Sequence, residues 1–288
     1  MKVLVLGANG QLGWELQRTC PVNIALATCD FPKVDFGSPD SIRDCISTSQ
    51  PECIINAAAY TEVDKAEQEE ELAYRINHLA TREIAELCKK NTISMVHIST
   101  DFIFNGQNFK PYRPDDTPDP KTVYGKSKLK GEQEVRKILE DNALIIRTAW
   151  LYSVHGNNFV KTMLKLMKEK SSLNVIDEQI GTPTWGFGLA RAIWIALENK
   201  LTGTFHWTDA GVASWYDFAL AIQEEGIKAG LLDKSISILP VTSLQYPTPA
   251  KRPMYSVLDK TSFWLATGIK PVHWRVQLRS MLKEFSQL

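Results

Sequence analysis

The sequence lacks an excess of charge of either sign: its 288 residues hold 33 Lys and Arg against 33 Asp and Glu. A chain with this balance has no electrostatic footprint for nucleic acid or for an anionic membrane surface. Its apolar runs all fall short of the roughly 18–20 residues that a transmembrane helix needs. The first residues, KVLVLGA, read directly as a strand and show no signal-peptide pattern. We therefore expect a cytoplasmic protein with no nucleic acid and no membrane among its partners.

Cysteine is also scarce, and the five that occur are odd in number and show no Cys-x-x-Cys spacing. This argues against a disulfide framework and against a structural zinc site, and it fits a reducing compartment. The cysteines are expected to serve as small buried apolar side chains. No low-complexity segment and no internal repeat is present, and no metal site is predicted.

What the sequence does have is a regular alternation of short apolar runs and helical patterns in its first half. Nearly continuous apolar strands separated by helices indicate a parallel sheet covered on both faces. The fold class predicted is α/β, a Rossmann-type doubly wound parallel sheet with a smaller mixed α/β C-terminal substrate lobe. Strands are expected at 2–7, 23–30, 52–59, 94–100 and 143–150, and helices at 11–19, 38–48, about 63–90 and 123–140.

The second half of the chain is less regular, with helices expected at 157–170, 186–198, 214–228 and 274–286 and short strand-like pieces between them. Prolines interrupt the stretch from 240 to 253, which predicts irregular structure there. We expect a dinucleotide-binding domain formed by residues 1–149 plus roughly 172–212. The substrate-binding lobe would then comprise roughly 150–171 and 213–288.

A glycine triplet follows the first predicted strand and opens a helix, with Gly7, Gly10 and Gly13 in G-x-x-G-x-x-G spacing. Glycine permits a tight turn and a close approach of the backbone to a pyrophosphate, which the helix N-terminus attracts. The second strand ends at Asp30, where a carboxylate can bind the adenosine ribose and would repel a 2′-phosphate. Lys33 lies nearby and would accommodate that phosphate, so the choice between NADH and NADPH stays open.

A hydroxyl, a tyrosine and a lysine form the second pattern. Thr100 ends the fourth predicted strand, and Tyr124 and Lys128 stand four apart on one helix face. An ammonium beside a tyrosine is expected to lower the phenol pKa from about 10 towards neutrality, while Thr100 holds a substrate carbonyl oxygen. The plainer alternative is a solvated basic helix face that also includes Lys126 and Lys130.

Taken together, the motifs resemble those of the extended short-chain dehydrogenase/reductases. Within that superfamily the chain is most similar to the dTDP-4-dehydrorhamnose reductase family. The resemblance rests on GANGQLGWELQ, NAAAYTEVDKAE, STDFIF, YGKSK, RTAWLY, GNNFVKTM, DEQIGTPT and PTPAKRP, in this order along nearly the whole chain. It implies reduction of the 4-keto group of dTDP-4-dehydro-β-L-rhamnose with NADH or NADPH, a step of cell-surface polysaccharide biosynthesis.

The resemblance also implies roles for individual residues. Tyr124 would donate the proton, assisted by Thr100, and Lys128 would be its partner and bind the nicotinamide ribose. The cofactor would be held by Gly7, Gly10, Gln11, Leu12, Gly13, Asp30, Asp35, Phe36, Ala59, Tyr60 and Thr61, together with Tyr124 and Lys128. The substrate would be held by Thr100, Asp101, Trp150, Asn158, Gln179 and Arg252. Asn77 would support the active-site lysine.

Several alternatives stay open from the sequence. Asp101 is as well explained by a cap on local backbone as by a catalytic role. Phe102 stands where related dehydratases carry a glutamate and where this family often has tyrosine. A dehydratase or epimerase, or a non-catalytic regulatory subunit of the same fold, are the competing functions. Glu15 matches a position that holds a subunit-bridging metal in some relatives, but 182–192 contains no second glutamate. Oligomeric state stays open, with a homodimer as one alternative.

Overall fold

The computed structural model describes all residues from 1 to 288. Strands and helices alternate through the first half of the chain. The elements there are β1 (Lys2–Leu6), α1 (Gln11–Arg18), β2 (Ala25–Cys29), α2 (Pro39–Ser49), β3 (Cys53–Asn56), α3 (Val63–Ala66), α4 (Glu70–Tyr74), α5 (Thr81–Asn91), β4 (Ser94–Thr100), α6 (Val123–Leu139) and β5 (Ala143–Thr148).

The second half contains shorter strands between its helices. Its elements are β6 (Leu151–Tyr152), α7 (Phe159–Glu169), β7 (Ser172–Ile176), β8 (Ile180–Gly181), β9 (Thr184–Trp185), α8 (Gly186–Glu198), β10 (Gly203–His206), β11 (Ala213–Ser214), α9 (Trp215–Lys228), β12 (Ser237–Val241), α10 (Thr261–Thr267) and α11 (Trp274–Phe285). No helix is both long and apolar enough to span a membrane.

The centre of the molecule is a six-stranded sheet in the order β10-β5-β4-β3-β1-β2. Every pairing in it is parallel, so all carboxyl ends lie at the same edge. Helices α1 and α8 cover one face, and α2, α5 and α6 cover the other. The predicted Rossmann-type α/β class is confirmed. The chain leaves β1 in one direction and β3 in the other, which creates a ligand-binding crevice between these strands.

Local sequence signals explain most of the element boundaries. Ser38 caps α2 by accepting a hydrogen bond from the Ser41 amide at 3.4 Å, and Pro39 occupies the first turn, as the sequence predicted. The long helix expected over 63–90 was wrong in detail, because the chain forms α3, α4, a π-helical turn at Arg75–Ala80, and α5. The strand expected to reach residue 59 ends at Asn56, which leaves the small residues after it free to line the crevice.

A smaller lobe is built around α7, α9 and α11, which share one apolar core with the parallel pair β7 and β12. The pairing of β7 with β12 places residues 172–176 in this lobe, although the sequence assigned them to the sheet domain. Conversely, Phe263 of α10, which the sequence assigned to the lobe, packs in the core of the central sheet. The chain therefore passes between the sheet and the lobe more often than the predicted segments describe.

Candidate active site

The glycine turn joins β1 to α1 by close backbone contacts. Gly7 has a φ of +80°, and a Cβ there would lie 2.5 Å from the Ala58 amide nitrogen. A Cβ on Gly13 would lie 2.2 Å from the Gly7 carbonyl oxygen. Gly10 is the N-cap of α1 and provides no side chain to bind the first-turn amides. These amides are left to attract an anion.

The turn yields a test that separates folding from cofactor binding. Gly13→Ala is expected to reduce the free energy of unfolding by about 3 kcal/mol, because the added methyl overpacks backbone that cannot rotate away. Gly10→Ala is the matched control for stability, since its Cβ would stand 3.4 Å from its one close neighbour, the Gly7 carbonyl oxygen. We expect Gly10→Ala to keep its stability and to bind NADPH more weakly, because the methyl fills space that a pyrophosphate needs. Denaturant unfolding and a cofactor titration measure the two effects, and unchanged NADPH affinity in Gly10→Ala would count against the assignment.

Two carboxylates follow β2 beside the glycine turn. Asp30 accepts hydrogen bonds from the amides of Asn9 and Phe31, both at 2.7 Å. Asp35 accepts one from the Gly37 amide, also at 2.7 Å. These contacts orient Asp30 against the turn. Lys33 is exposed next to it.

At the other side of the crevice, the end of β4 and the start of α6 bring Thr100 and Tyr124 together. Thr100 ends β4, and Tyr124 lies in the first turn of α6, which Thr122 caps by accepting a hydrogen bond from Gly125 at 3.0 Å. Gly125 packs so closely on the Phe102 carbonyl that a Cβ would be 2.2 Å from its oxygen. The rings of Phe102 and Tyr124 meet edge to face at 5.6 Å. The start of α6 is therefore fixed against the end of β4.

The electrostatics of Tyr124 differ from the sequence expectation. Burial raises the pKa of its phenol to about 12, although a hydrogen bond with Thr100 works in the opposite direction. The Lys128 ammonium, which the sequence predicted would lower this pKa, instead donates to the Ile98 carbonyl at 2.6 Å. Tyr124 is thus a neutral phenol near pH 7 and carries a proton that it can give away.

The lysines of α6 divide into two groups. Lys128 is buried, and burial lowers its pKa to about 8. Lys126 and Lys130 are exposed, so the solvated basic face includes these two and excludes Lys128. Burying an ammonium is costly, and the Ile98 carbonyl offsets part of this cost for Lys128 at the edge of the cleft.

One cleft of about 450 Å³ connects the glycine turn with this group. Its walls come from α1, from the segments after β3, β4 and β5, and from the start of α6. It brings together most of the residues predicted from the sequence, namely Gly10, Gln11, Leu12, Gly13, Ala59, Thr61, Thr100, Asp101, Tyr124, Lys128, Trp150 and Asn158. Gly7, Asp30, Asp35, Phe36, Tyr60, Gln179 and Arg252 do not line it.

A narrow crevice adjoins the cleft and shares Phe102 and Trp150 with it. Trp150 has a φ of +47° and stacks on Trp215 with ring centroids 3.6 Å apart. Gly181 makes room for this ring, since a Cβ there would lie 2.5 Å from it. Sequence reasoning missed Trp215 and Gly181, because only the fold brings them against Trp150.

The candidate substrate-binding residues are not all in one place. Gln179 and Arg252 line the narrow crevice, and the Arg252 guanidinium is paired with Asp64 at 2.7 Å. Asn158 lies instead beside the glycine turn, where its amide donates to the Gln11 side chain at 3.0 Å. It also caps α7 by accepting from the Lys161 amide. Asn158 therefore lies on the glycine-turn side of the cleft, away from Gln179 and Arg252.

Asp101 and Asn77 occupy structured, buried positions. Burial raises the pKa of the Asp101 carboxyl to about 6, and its Oδ1 accepts from the Thr100 hydroxyl at 3.1 Å. Asn77 lies in the π-helical turn, and its amide binds the Tyr60 backbone and, at 3.0 Å, the Ser127 hydroxyl. Asn77 therefore holds the segment after β3 against α6, with Ser127, rather than Lys128, as its partner on that helix.

Glu15, the position compared with a metal ligand, is fully buried in this chain. Its carboxylate accepts hydrogen bonds from Arg18 and, at 2.6 Å, from the Ser153 hydroxyl. Arg18 and Ser153 therefore hold the buried carboxylate of Glu15 in this structure.

Comparison with known proteins agrees with this geometry. Residues 1–287 match the family profile described as the RmlD substrate binding domain. The chain belongs to this family. It is 43% identical to the spore coat polysaccharide biosynthesis protein SpsK of Bacillus subtilis, an alignment that covers 99% of this chain and 98% of that protein. It is 38% identical to dTDP-4-dehydrorhamnose reductase of Salmonella typhimurium, again over 99% of this chain and 98% of the relative.

Among solved structures, this RmlD-family chain is similar to dTDP-4-dehydrorhamnose reductase of Bacillus anthracis in complex with NADP. The TM-score is 0.93 at 34% identity, over 98% of this chain and 99% of that one. The resemblance inferred from the sequence motifs is therefore confirmed at the level of the family.

Proposed function

We propose that the chain is an NAD(P)H-dependent dTDP-4-dehydrorhamnose reductase, which converts dTDP-4-dehydro-β-L-rhamnose to dTDP-L-rhamnose. The observation that carries the proposal is the single cleft with the glycine turn at one end and Thr100, Tyr124 and Lys128 at the other. The glycine turn would hold the pyrophosphate of a dinucleotide, and the three side chains at the other end of the cleft would face its nicotinamide. The family relatives named as reductases support the same conclusion.

The residues divide the chemistry among them. A bound reduced nicotinamide would supply the hydride that reduces the carbonyl carbon of the sugar. Thr100 orients the carbonyl oxygen, and Tyr124 donates its proton to that oxygen as negative charge develops there. The high pKa of Tyr124 keeps the proton in place until it is needed. Lys128 holds the nicotinamide ribose and stabilises the phenolate that remains after proton transfer.

Both NADH and NADPH remain candidates for the reductant. Asp30 faces the position of the adenosine ribose and would repel a 2′-phosphate, whereas Lys33 would attract it. The NADP bound in the Bacillus anthracis relative favours acceptance of NADPH. We propose that Asp35, Phe36, Tyr60 and Gly7 shape this end of the site from outside the main cleft.

The nucleotide end of the substrate is proposed to lie towards the narrow crevice. Arg252 would pair with a diphosphate through its planar fork of donors, exchanging its bond to Asp64 for the ligand. Trp150, supported by Trp215, offers an aromatic face for the sugar or the base. The smaller lobe, built around α7, α9 and α11, would carry these contacts. The enzyme would be cytoplasmic, with a homodimer as one alternative for its oligomeric state.

Arg252→Ala is expected to raise the KM for the nucleotide sugar by about tenfold to a hundredfold with little change in kcat, because a charged hydrogen bond in the ground state and the transition state is lost. Steady-state kinetics at saturating NADPH measure both constants. Arg113→Ala is the control, since Arg113 is an exposed arginine paired with Asp115. An unchanged KM in Arg252→Ala, or an equal rise in the control, would remove Arg252 from the substrate site.

A label transfer experiment tests the reaction type. With NADPH deuterated at the transferable position, a reductase delivers deuterium to C4 of the sugar and consumes one cofactor per product. A dehydratase or epimerase that recycles bound NAD would show no net cofactor consumption. Phe102, which cannot donate or accept a proton, fits the first outcome, and product without label at C4 would overturn the proposal.

A further inference from the structure

Helix α6 carries a buried acid one turn beyond Lys128. Glu132 follows Lys128 at the i,i+4 spacing that places two side chains on one helix face. Both residues are almost completely removed from solvent, Glu132 at 0% exposure and Lys128 at 2%. Glu132 therefore lies on the same face of α6 as Tyr124 and Lys128, one turn further along the helix and buried in the protein interior.

Two arginines hold this carboxylate in a fixed position. Arg147 of β5 donates from Nε to Oε1 at 3.0 Å and from Nη2 to Oε2 at 2.9 Å. Arg136, one turn further along α6, donates to Oε2 at 2.7 Å. These bonds outweigh the cost of burying the acid and lower the pKa of Glu132 to about 2. Glu132 is therefore an anion at every pH at which the protein works.

Two further groups fix the position of the Arg147 side chain. Its Nη1 donates to the Pro114 carbonyl at 3.0 Å and lies 3.3 Å from Nε2 of His206. His206 Nδ1 is 3.1 Å from the Tyr112 carbonyl, which can only accept, so Nδ1 carries the proton and Nε2 accepts from Arg147. Burial and the neighbouring guanidinium lower the pKa of His206 to about 3, so it stays neutral. Glu132, Arg147, Arg136 and His206 together form a hydrogen-bonded clamp. Glu132 stays ionised and His206 stays neutral near neutral pH.

The surroundings of Lys128 show why this anion matters. The titratable groups around it are Tyr124, Glu132 and Arg136 on its own helix, His97 and Asp101 on and after β4, and Arg147 on β5. Tyr124 is a neutral phenol, burial keeps His97 neutral, and both arginines are engaged in hydrogen bonds with Glu132. Glu132 raises the pKa of Lys128 against the effect of burial.

We propose that Glu132 is a positioning residue of the active site: its clamped carboxylate keeps Lys128 protonated, with Nζ on the Ile98 carbonyl and ready to hold the nicotinamide ribose. This inference rests on the proposed function of Lys128. Under this inference, the charge of Glu132, a residue outside the cleft, sets the pH range in which the enzyme is active. Arg147 and Arg136 act one step further back, by fixing Glu132 and by partly neutralising it.

The first test compares pH profiles of kcat/KM for the wild type and Glu132→Gln. Loss of the anion is expected to move the alkaline limb, on which Lys128 loses its proton, to lower pH by about one unit. Glu132→Asp keeps the charge and is expected to bring the limb back towards the wild-type position. A structural role alone would lower activity at all pH values without moving the limb, and that result would overturn the inference.

Arg136→Gln provides a test with the opposite sign at a side chain that is partly exposed to solvent. Removing the positive charge of Arg136 lets Glu132 attract the Lys128 ammonium more strongly. The alkaline limb of the kcat/KM profile is therefore expected to move to higher pH. A shift to lower pH, or none, would contradict the inference even if Glu132→Gln does not fold.

The affinity for NADPH is measured across the same pH range in all variants, by cofactor fluorescence. This readout needs no turnover and should shift in parallel with the limb. If the wild type binds NADPH but does not reduce the nucleotide sugar, the proposed function fails, and the binding profiles still decide the role of Glu132. If the wild type is active and no profile shifts, the inference fails and the proposed function stands.

Discussion

Tyr124→Phe is expected to lower kcat by about 10²- to 10⁴-fold, the range typical of losing a positioned proton donor. The phenol lies in the cleft with Thr100, and because burial holds its pKa at about 12 it carries its proton at pH 7. Phenylalanine keeps the edge-to-face contact with Phe102, so the cleft should keep its shape. The affinity for NADPH should therefore change by no more than about twofold.

Single-turnover kinetics at saturating NADPH would measure this loss without interference from product release. Tyr216→Phe, a half-buried tyrosine of α9 that does not line the cleft, is the matched control and should keep wild-type rates. Wild-type turnover in Tyr124→Phe would remove Tyr124 from the proton-transfer step. An equal loss in both variants would point to a general effect on folding.

Lys128→Ala is expected to lower both the rate and the affinity for NADPH, the latter by about ten- to a hundredfold, because a charged hydrogen bond to the ribose is lost. The fold should persist, since Glu132 keeps its bonds to Arg147 and Arg136. Lys130→Ala, on the exposed side of the same helix, is the control. Isothermal titration with NADPH separates the two effects. A variant that loses rate and retains full cofactor affinity would show that the ribose contact is wrongly assigned.

The sheet and the glycine turn could be predicted because their signals are local. Apolar β-branched runs and capping residues such as Ser38 depend on neighbours in sequence, so β4 and α8 were placed at their observed boundaries. The interruption of the helical region after Val63 was not predictable in this way. The π-helical turn at Arg75–Ala80 places Asn77 where it binds Tyr60 and Ser127, and these contacts are long-range.

The residue types of the candidate site could be predicted from the sequence. The electrostatic environment of these residues could not. Tyr124 and Lys128 were found by spacing, but the sequence expected the ammonium to lower the phenol pKa. Burial of both groups reverses that balance, and the Ile98 carbonyl takes the ammonium. No local pattern shows the clamp of Arg147 on Glu132, because β5 and α6 meet only in the folded sheet.

The substrate end was the hardest to predict. The stacked pair of Trp150 and Trp215 depends on a positive φ at Trp150 and on the open space at Gly181. Both features arise from packing between the sheet and the lobe. Arg252 was named from the family resemblance, whereas its partner Asp64 lies far away in the sequence.

The most direct test of the central claim is a turnover measurement with purified protein, dTDP-4-dehydro-L-rhamnose and NADPH or NADH. The account predicts that the absorbance of the reduced nicotinamide falls as dTDP-L-rhamnose forms in equal amount, and that Tyr124→Phe abolishes most of this rate. Binding of cofactor and nucleotide sugar without oxidation of either NADPH or NADH would contradict it, and would identify the chain as a non-catalytic member of the family.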